Sequence, residues 1–329
     1  MQGGPLRRYY THDRGRLSRN ARTEDSRKTR GDIGLMAACE IRKNCPLRGL
    51  NTWGSGGSCL WLAAPRSSEE AVSFVRSGAA SEGDVYVLGG GSNVLVQDGL
   101  LAAGVVSCSG MTAASFAGAG GFVSAWIEAG FPVKKLLALA VEKNLGGLEF
   151  LAGIPGTVGG ALCGNAGAGG VSFAPLVERI ETVSRNGELR VWEAGELKWS
   201  YRASPWGSAA PFLITRAFLR IPYSTKDNII RNIRHYSSLK KGQPIGAKTA
   251  GCVFKNPPEG AAGMLLDRCG CKGLSVGGAF VSERHANFIE NRGGASSSDI
   301  FALAEKCRAR VRAVFGVKLE YEIKFFGAF

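Results

Sequence analysis

No long apolar run, no CxxC pair and no dinucleotide-binding helix signature occur in this chain of 329 residues. Nothing approaches the ~18 apolar residues of a membrane helix, so no spanning segment is expected. Residues 1–32 contain no apolar core of the kind a secretory signal carries. The nine cysteines are irregularly spaced, which argues against a zinc ribbon or a secreted disulfide framework and for reduced thiols in a cytoplasmic protein. No metal site is expected. Glycine is abundant, 47 of 329 residues and twice the usual ~7%, but it has no three-residue period, so a collagen-like fold is excluded. No internal repeat of fixed period is present. With 45% hydrophobic and 21% charged residues the chain reads as ordinary globular protein, long enough for two or more domains.

Acidic residues are few, 27 against 41 Lys and Arg, which leaves a formal charge of +14. Residues 1–35 hold nine basic and four acidic residues and so carry +5 of that excess with almost no apolar periodicity. They read as a disordered basic leader. The other +9 is spread along the chain, with clusters near 231–241 and 308–312. A basic groove for a phosphorylated small molecule explains it as well as nucleic acid does. A nucleic-acid surface would interleave aromatics with Lys and Arg, and the linear sequence shows no such pattern.

Composition changes near Pro222. Before it, glycine and short Val/Leu/Ile/Phe runs predict many short strands, including 85–88, 93–96, 104–106 and 122–127. Residues 132–143 read as a helix opened by Pro132, and 67–77 as a helix with Ser67 as cap. After Pro222 the pattern is α+β: a basic helix over 226–241, an amphipathic helix over 298–314 ending before Gly316, and a last strand over 319–326. Domains are expected at 36–222, for a cofactor, and 223–329, for a substrate.

Gly89, Gly90, Gly91, Ser92 and Asn93 lie between two β-type runs. Consecutive glycines let backbone N–H groups close on an anion, and the Ser and Asn side chains add donors. A Rossmann turn would open a helix, and a P-loop would be followed by Lys-Ser/Thr, so neither fits. A second segment holds ten glycines between Gly146 and Gly170, interleaved with apolar residues. Buried irregular backbone of this kind needs hydrogen-bond partners that a flat, polar-edged cofactor supplies.

An ordered series of strings then becomes specific: Asn51-Thr52-Trp53-Gly54, the glycine turn, Gly153-Ile154-Pro155-Gly156-Thr157-Val158-Gly159-Gly160, Asn165-Ala166-Gly167-Ala168, Tyr201-Arg202-Ala203-Ser204, Ala250-Gly251-Cys252-Val253-Phe254-Lys255-Asn256-Pro257, the string from Gly277 through Phe288, and Glu320-Tyr321-Glu322-Ile323. The series resembles the UDP-N-acetylenolpyruvoylglucosamine reductase family from about residue 51 to 327. The resemblance implies an FAD-binding domain of the vanillyl-alcohol-oxidase (PCMH) type with two α+β subdomains, followed by an α+β substrate domain. Gly89, Gly90, Gly91, Ser92 and Asn93 would bind the FAD pyrophosphate; Ile154, Pro155, Gly156, Thr157, Gly159 and Gly160 would hold the cofactor nearer the flavin. No His or Cys stands where related flavoproteins attach FAD covalently, so noncovalent FAD is expected.

In that family NADPH reduces FAD, and hydride then passes to the enolpyruvyl ether of a UDP-sugar, giving UDP-N-acetylmuramate for peptidoglycan. The developing negative charge needs a fixed cation and an acid. Arg202 matches the cation; outside its motif it would read as a surface-paired arginine. Cys252 stands where the family commonly has the proton-donating serine. The family pattern puts the last catalytic carboxyl at Glu322, whereas strand alternation alone cannot separate Glu322 from Glu320. Tyr201, Lys255, Asn256, Gln243 and Arg234 match substrate-binding positions, with Lys240 and Lys241 in the same basic segment. Departures are Cys252 for serine, Tyr321 for a usual proline, and Gly169 for a frequent aromatic. The short span after Tyr201 matches the form without a substrate lid. A monomer acting on UDP-N-acetylglucosamine enolpyruvate and NADPH is expected, with neither nucleic acid nor membrane as partner. Another FAD oxidase of the same fold is the rival enzyme; Arg202, the F-K-N-P string and Glu322 argue against it.

Because Met36 follows the basic leader, translation is expected to begin there. Mass spectrometry of the native N-terminus should find no peptide from residues 1–30, and finding one refutes that start.

Overall fold

The computed structural model describes residues 39–329 except Glu82, so the basic leader expected at 1–35 lies outside the described residues. The first group of elements is β1 (Ile41–Pro46), β2 (Ser58–Ala63), α1 (Ser68–Arg76), β3 (Val85–Leu88), β4 (Val94–Val96) and β5 (Leu100–Ser107). Four of these strands form a sheet in the order β1-β2-β5-β3, antiparallel between β1 and β2 and parallel elsewhere. The α1 helix starts where its sequence predicts: Ser67 Oγ accepts the Glu70 amide at 3.2 Å, satisfying one of the free donors of the first turn. Its Ala71, Val72, Phe74 and Val75 are buried, the stripe that an amphipathic helix turns to a core.

Next come β6 (Ala114–Ala119), β7 (Phe122–Glu128), α2 (Val133–Glu142), α3 (Val158–Cys163), β8 (Gly167–Ala168), β9 (Val171–Ser172), β10 (Val177–Val183), β11 (Leu189–Glu193) and β12 (Leu213–Pro222). Five strands form an antiparallel sheet, β11-β10-β12-β7-β6, and β8 and β9 make a small ribbon. Pro132 caps α2, as its fixed φ allows. The six-residue α3 is not expected from its Val-Gly-Gly start, which reads as loop. One core joins the inner face of this sheet to α1, α2 and α3. On the less buried face, strand pairing brings arginines over aromatics: Arg179 lies 4.2 Å from the Phe218 ring, Arg220 3.8 Å from Phe122 and Arg216 5.5 Å from Trp126. The interleaving absent from the linear sequence therefore exists across strands. Of the three, Arg216 is already committed to Glu181, at 3.1 Å, and to Glu69.

The last group is α4 (Lys226–Ser238), α5 (Ala262–Arg268), β13 (Ser275–Val276), β14 (Ala279–Val281), β15 (Ile289–Asn291), α6 (Ser297–Phe315) and β16 (Lys324–Phe326). The mixture of helices and mostly antiparallel sheets is the expected α+β class. A reciprocal capping box of Ser296 and Asp299 opens α6, and left-handed Gly316 closes it. The strand expected over 319–326 is a strand only at its end. Residues 319–323 instead make a single bridge, Tyr321 to Phe254, because their partner segment is an irregular loop with no ladder to extend.

The C-terminal group is stitched to the first sheet. Its β16 pairs in parallel with β4, and the Phe326 ring stacks on Tyr86 at 4.5 Å. Trp53, fully buried, packs in the core of the C-terminal group; its Nε1 donates to the Ile289 carbonyl at 3.0 Å, and Asn291 Nδ2 donates to the Trp53 carbonyl at 2.9 Å. Asp98 accepts the amides of Ser297 at 3.0 Å and Ser298 at 2.8 Å, placing a carboxylate at the positive end of α6. Trp53→Phe, which leaves the Ile289 carbonyl unpaired in a buried site, should lower stability by about 1–3 kcal/mol in urea unfolding; an unchanged midpoint would show that this bond does not hold the two parts together.

Candidate active site

The glycine turn leaves β3 and enters β4. Among the described residues, the backbone amides of Gly90, Gly91, Ser92 and Asn93 donate to no protein acceptor, and neither do those of Gly156 and Thr157 in the second loop. These two loops touch. A methyl on Gly90 would lie 2.6 Å from Gly156 Cα, closer than carbon atoms can approach, so glycine is required there by contact between backbones. Six unpaired N–H donors in two touching loops form an anion nest of the kind that takes a diphosphate. The residues present therefore fit a dinucleotide cofactor.

The other expected cofactor residues divide. Thr157 Oγ1 caps α3 on the Gly160 amide at 3.4 Å, and the Gly159 amide bonds to the Ala129 carbonyl at 2.8 Å, so Gly159 and Gly160 have no free N–H to offer. The Ile154 amide is likewise bonded, to Leu151 at 2.8 Å, and Pro155 has none. Asn93 plays a structural role, because its Nδ2 donates to the Glu322 carbonyl at 3.2 Å while its own carbonyl accepts the Lys324 amide at 2.9 Å.

Arg202, Cys252 and Glu322 come together from three distant segments. Arg202 Nε lies 2.6 Å from Glu322 Oε1, and both side chains are mostly shielded, 25% and 18% exposed. Arg202 adopts φ 51°, left-handed and strained for a side-chain-bearing residue. Asn165, also left-handed at φ 43°, holds the preceding carbonyl of Ser200 through Nδ2 at 2.9 Å. Burial raises the Glu322 pKa, and Arg202, then Lys255, act against that rise. Burial, then the Glu322 charge, pushes the Cys252 thiol up to about 12, so it carries its proton at neutral pH.

Two further residues shape this group: Asn287, left without a role by sequence reasoning, and Lys240, expected only within the basic substrate-binding segment. Asn287, buried, accepts the Phe254 amide at 2.9 Å and donates to its carbonyl at 2.8 Å; its own carbonyl accepts the Val253 amide at 2.9 Å. It thereby fixes the loop that carries Cys252. The string containing Asn287 was visible, but a hydrogen bond to residues more than thirty positions earlier was not. Lys240, half-buried, donates through Nζ to the Ala152 carbonyl, and its pKa is lowered by burial and then by Arg202. It adds a second cation on the side of the Ile154 loop.

Of the expected substrate residues, Tyr201 is exposed and adjoins Arg202, whose guanidinium lies 5.4 Å from its ring. Lys255 pairs with Glu320 at 3.4 Å, and Glu320 is 75% exposed. Asn256 Oδ1 accepts the Ala262 amide at 3.0 Å at the start of α5, and Gln243 follows Lys240 in a turn closed by a 2.9 Å backbone bond. Arg234 is exposed on α4, with no contact to the Arg202 group among the described residues. A cleft of about 880 Å³ beside Tyr86, Arg185 and Trp192 shares none of these residues. Glu320 and Glu322, inseparable by alternation, are thus separated by burial and partner.

Unpaired amides beside a part-buried guanidinium, carboxyl and thiol fit an oxidoreductase with a dinucleotide cofactor. Residues 60–192 match the family model of an FAD binding domain, and residues 243–326 that of the UDP-N-acetylenolpyruvoylglucosamine reductase C-terminal domain. The chain is 36% identical over 296 residues to a protein of that name from Syntrophobacter fumaroxidans, covering 89% of this chain and 85% of the other. It is 35% identical over 304 residues to one from Carboxydothermus hydrogenoformans, covering 92% and 99%. The crystal structure of the Thermus caldophilus reductase superposes with a TM-score of 0.71 at 34% identity, over 88% of this chain and 98% of that one. The chain belongs to the UDP-N-acetylenolpyruvoylglucosamine reductase family.

The Cys252 proton is held partly by the Glu322 charge, while Arg202 opposes it. Glu322→Gln removes the negative charge and leaves the positive one, so the pH at which iodoacetamide begins to alkylate Cys252 should fall. Peptide mapping of alkylation against pH reads this directly; an unmoved or raised threshold contradicts the electrostatic arrangement.

Proposed function

We propose that this protein reduces UDP-N-acetylglucosamine enolpyruvate to UDP-N-acetylmuramate, a cytoplasmic step of peptidoglycan precursor synthesis, with noncovalent FAD as cofactor and NADPH as reductant. The observation that carries the reading is the convergence of Arg202, Cys252 and Glu322, from one chain, near a nest of unpaired amides. Because all three come from one chain, a monomer suffices. Among the described residues no helix is long and apolar enough to cross a membrane. The division into residues 36–222 for cofactor and 223–329 for substrate is supported by the separate core of the C-terminal group, although β16 returns to pair with β4.

Gly90, Gly91, Ser92 and Asn93, with Gly156 and Thr157, would hold the FAD diphosphate on backbone amides. Bound FAD supplies hydride transfer, from NADPH to the alkene of the substrate. The chain's residues do the rest. The Arg202 guanidinium, permanently charged, binds the enolpyruvyl carboxylate and stabilises negative charge developing beside it. The Cys252 thiol gives its proton to the adjacent carbon and is restored from solvent. Glu322 orients Arg202 and keeps the thiol protonated until the carbon is basic enough to take the proton. Lys240 and Gln243, from the basic segment, would bind substrate together with Lys255, and the exposed Tyr201 would border the same site.

Purified protein should be yellow, bleached by NADPH and restored to yellow by the enolpyruvyl UDP-sugar; failure of NADPH to bleach it, or of the sugar to restore it, refutes the assignment. In the same cuvette Cys252→Ala should leave bleaching unchanged and slow restoration by about 10²–10⁴-fold, whereas Cys252→Ser should keep much of it. Full-speed restoration in Cys252→Ala removes the thiol from the mechanism.

A further inference from the structure

Residues 319–323 reach the active site without a strand to hold them. Two backbone bonds flank the Tyr321–Phe254 bridge: the Glu322 amide to the Val253 carbonyl at 2.8 Å, and the Lys255 amide to the Glu320 carbonyl at 2.9 Å. With the Asn93 carboxamide on the Glu322 carbonyl at 3.2 Å, these bonds hold the backbone but leave the direction of a carboxyl that must stay 2.6 Å from Arg202 to its neighbours. The side chain of Tyr321 is anchored in the opposite direction. Its ring lies against Phe254 at 5.1 Å and Phe325 at 4.9 Å, and its hydroxyl donates to Glu305 Oε1 on α6. Glu305 is in turn held by Arg308 at 2.8 Å, whose guanidinium lies 5.3 Å from the Tyr321 ring.

We propose that Tyr321 is a positioning residue for the reaction: by tying the 320–322 backbone to the Glu305–Arg308 pair on α6, it sets where Glu322 stands relative to Arg202 and Cys252. Neighbouring side chains on an extended segment point to opposite sides, so a residue clamped into α6 aims the next one into the site. The proline usual at this position in the family fixes φ by its own ring. Tyrosine leaves φ free, and the anchor on α6 replaces that restraint. Burial, then Glu305, raises the phenol pKa, so the hydroxyl remains a donor throughout the working pH range. The Tyr321 side chain is committed to Phe254, Phe325 and Glu305, and it acts only through Glu322 and the Cys252 loop.

This inference rests on the role assigned to Glu322, and the test separates the two. In the flavin-loaded enzyme, Tyr321→Phe should slow restoration of the yellow form by enolpyruvyl substrate about fivefold, the loss of one anchoring hydrogen bond, with NADPH bleaching unchanged. In protein stripped of cofactor, the alkylation threshold of Cys252 should move down in pH, partway towards that of Glu322→Gln. Glu305→Gln, altered at the other end of the anchor, should move both readings in the same direction. If Glu322→Gln itself restores at full speed, the site assignment fails. If Glu322→Gln is slow while Tyr321→Phe restores normally, or slows both half-reactions alike, or leaves the alkylation threshold in place, the positioning role is overturned.

Discussion

Two hydrogen bonds at Asn93 fix the geometry on which the site depends. One runs from the Asn93 carboxamide to the Glu322 carbonyl, the other from the Lys324 amide to the Asn93 carbonyl. They join the glycine turn with its unpaired amides to the segment that carries Glu322, 229 residues away in sequence. In the proposed reaction a diphosphate on the turn and a carboxyl beside the reacting carbon must keep a constant separation, and side chains on loops alone do not provide one. Pairing β16 with β4 extends the same connection into a ladder, and Trp53 and Asp98 reinforce it from loops beside the first sheet.

Within the site, burial and charge oppose one another at each group. Burial raises the pKa of Glu322, and the guanidinium 2.6 Å away resists that rise. A part-buried ion pair of this kind contributes little net stability, because desolvation offsets much of the attraction. Its value lies in orientation. Arg202 has a strained left-handed backbone, and apart from a 3.5 Å bond to the Gly167 carbonyl its guanidinium is aimed by Glu322. Glu322 also acts on Cys252, adding to burial in keeping the thiol neutral. One carboxyl therefore aims the cation and guards the proton.

Elements whose ends are marked by their own residues were legible. Ser67 and Pro132 announced α1 and α2, and Ser296 and Gly316 bracket α6 close to its predicted limits. The glycine turn and the Arg202, Cys252 and Glu322 motifs were legible because each is a short string. What could not be read depends on distant partners. Asn287 closes on Phe254 across 33 residues, and Asn93 on Glu322 across 229. The separation of Glu320 from Glu322 needs their distant partners, Lys255 at the exposed edge for one and the part-buried Arg202 for the other. The arginine–aromatic pairs of the five-stranded sheet follow from strand order, which linear spacing does not contain.

The exchange of serine for Cys252 changes what the surroundings must do. An alcohol never ionises at working pH, so a serine donor needs help to release its proton. A thiol, with an ordinary pKa near ~8.5, is the stronger acid and risks losing its proton too early. Next to Arg202 alone it would be a thiolate-stabilising site, the arrangement that makes reactive cysteines. Burial and Glu322 outweigh that cation and push the thiol up to about 12. The same carboxyl that pairs with the guanidinium thus keeps an oxidisable, nucleophilic residue protonated, as the proposed proton donor must be, and in this proposal its position depends on how firmly residues 320–322 are held.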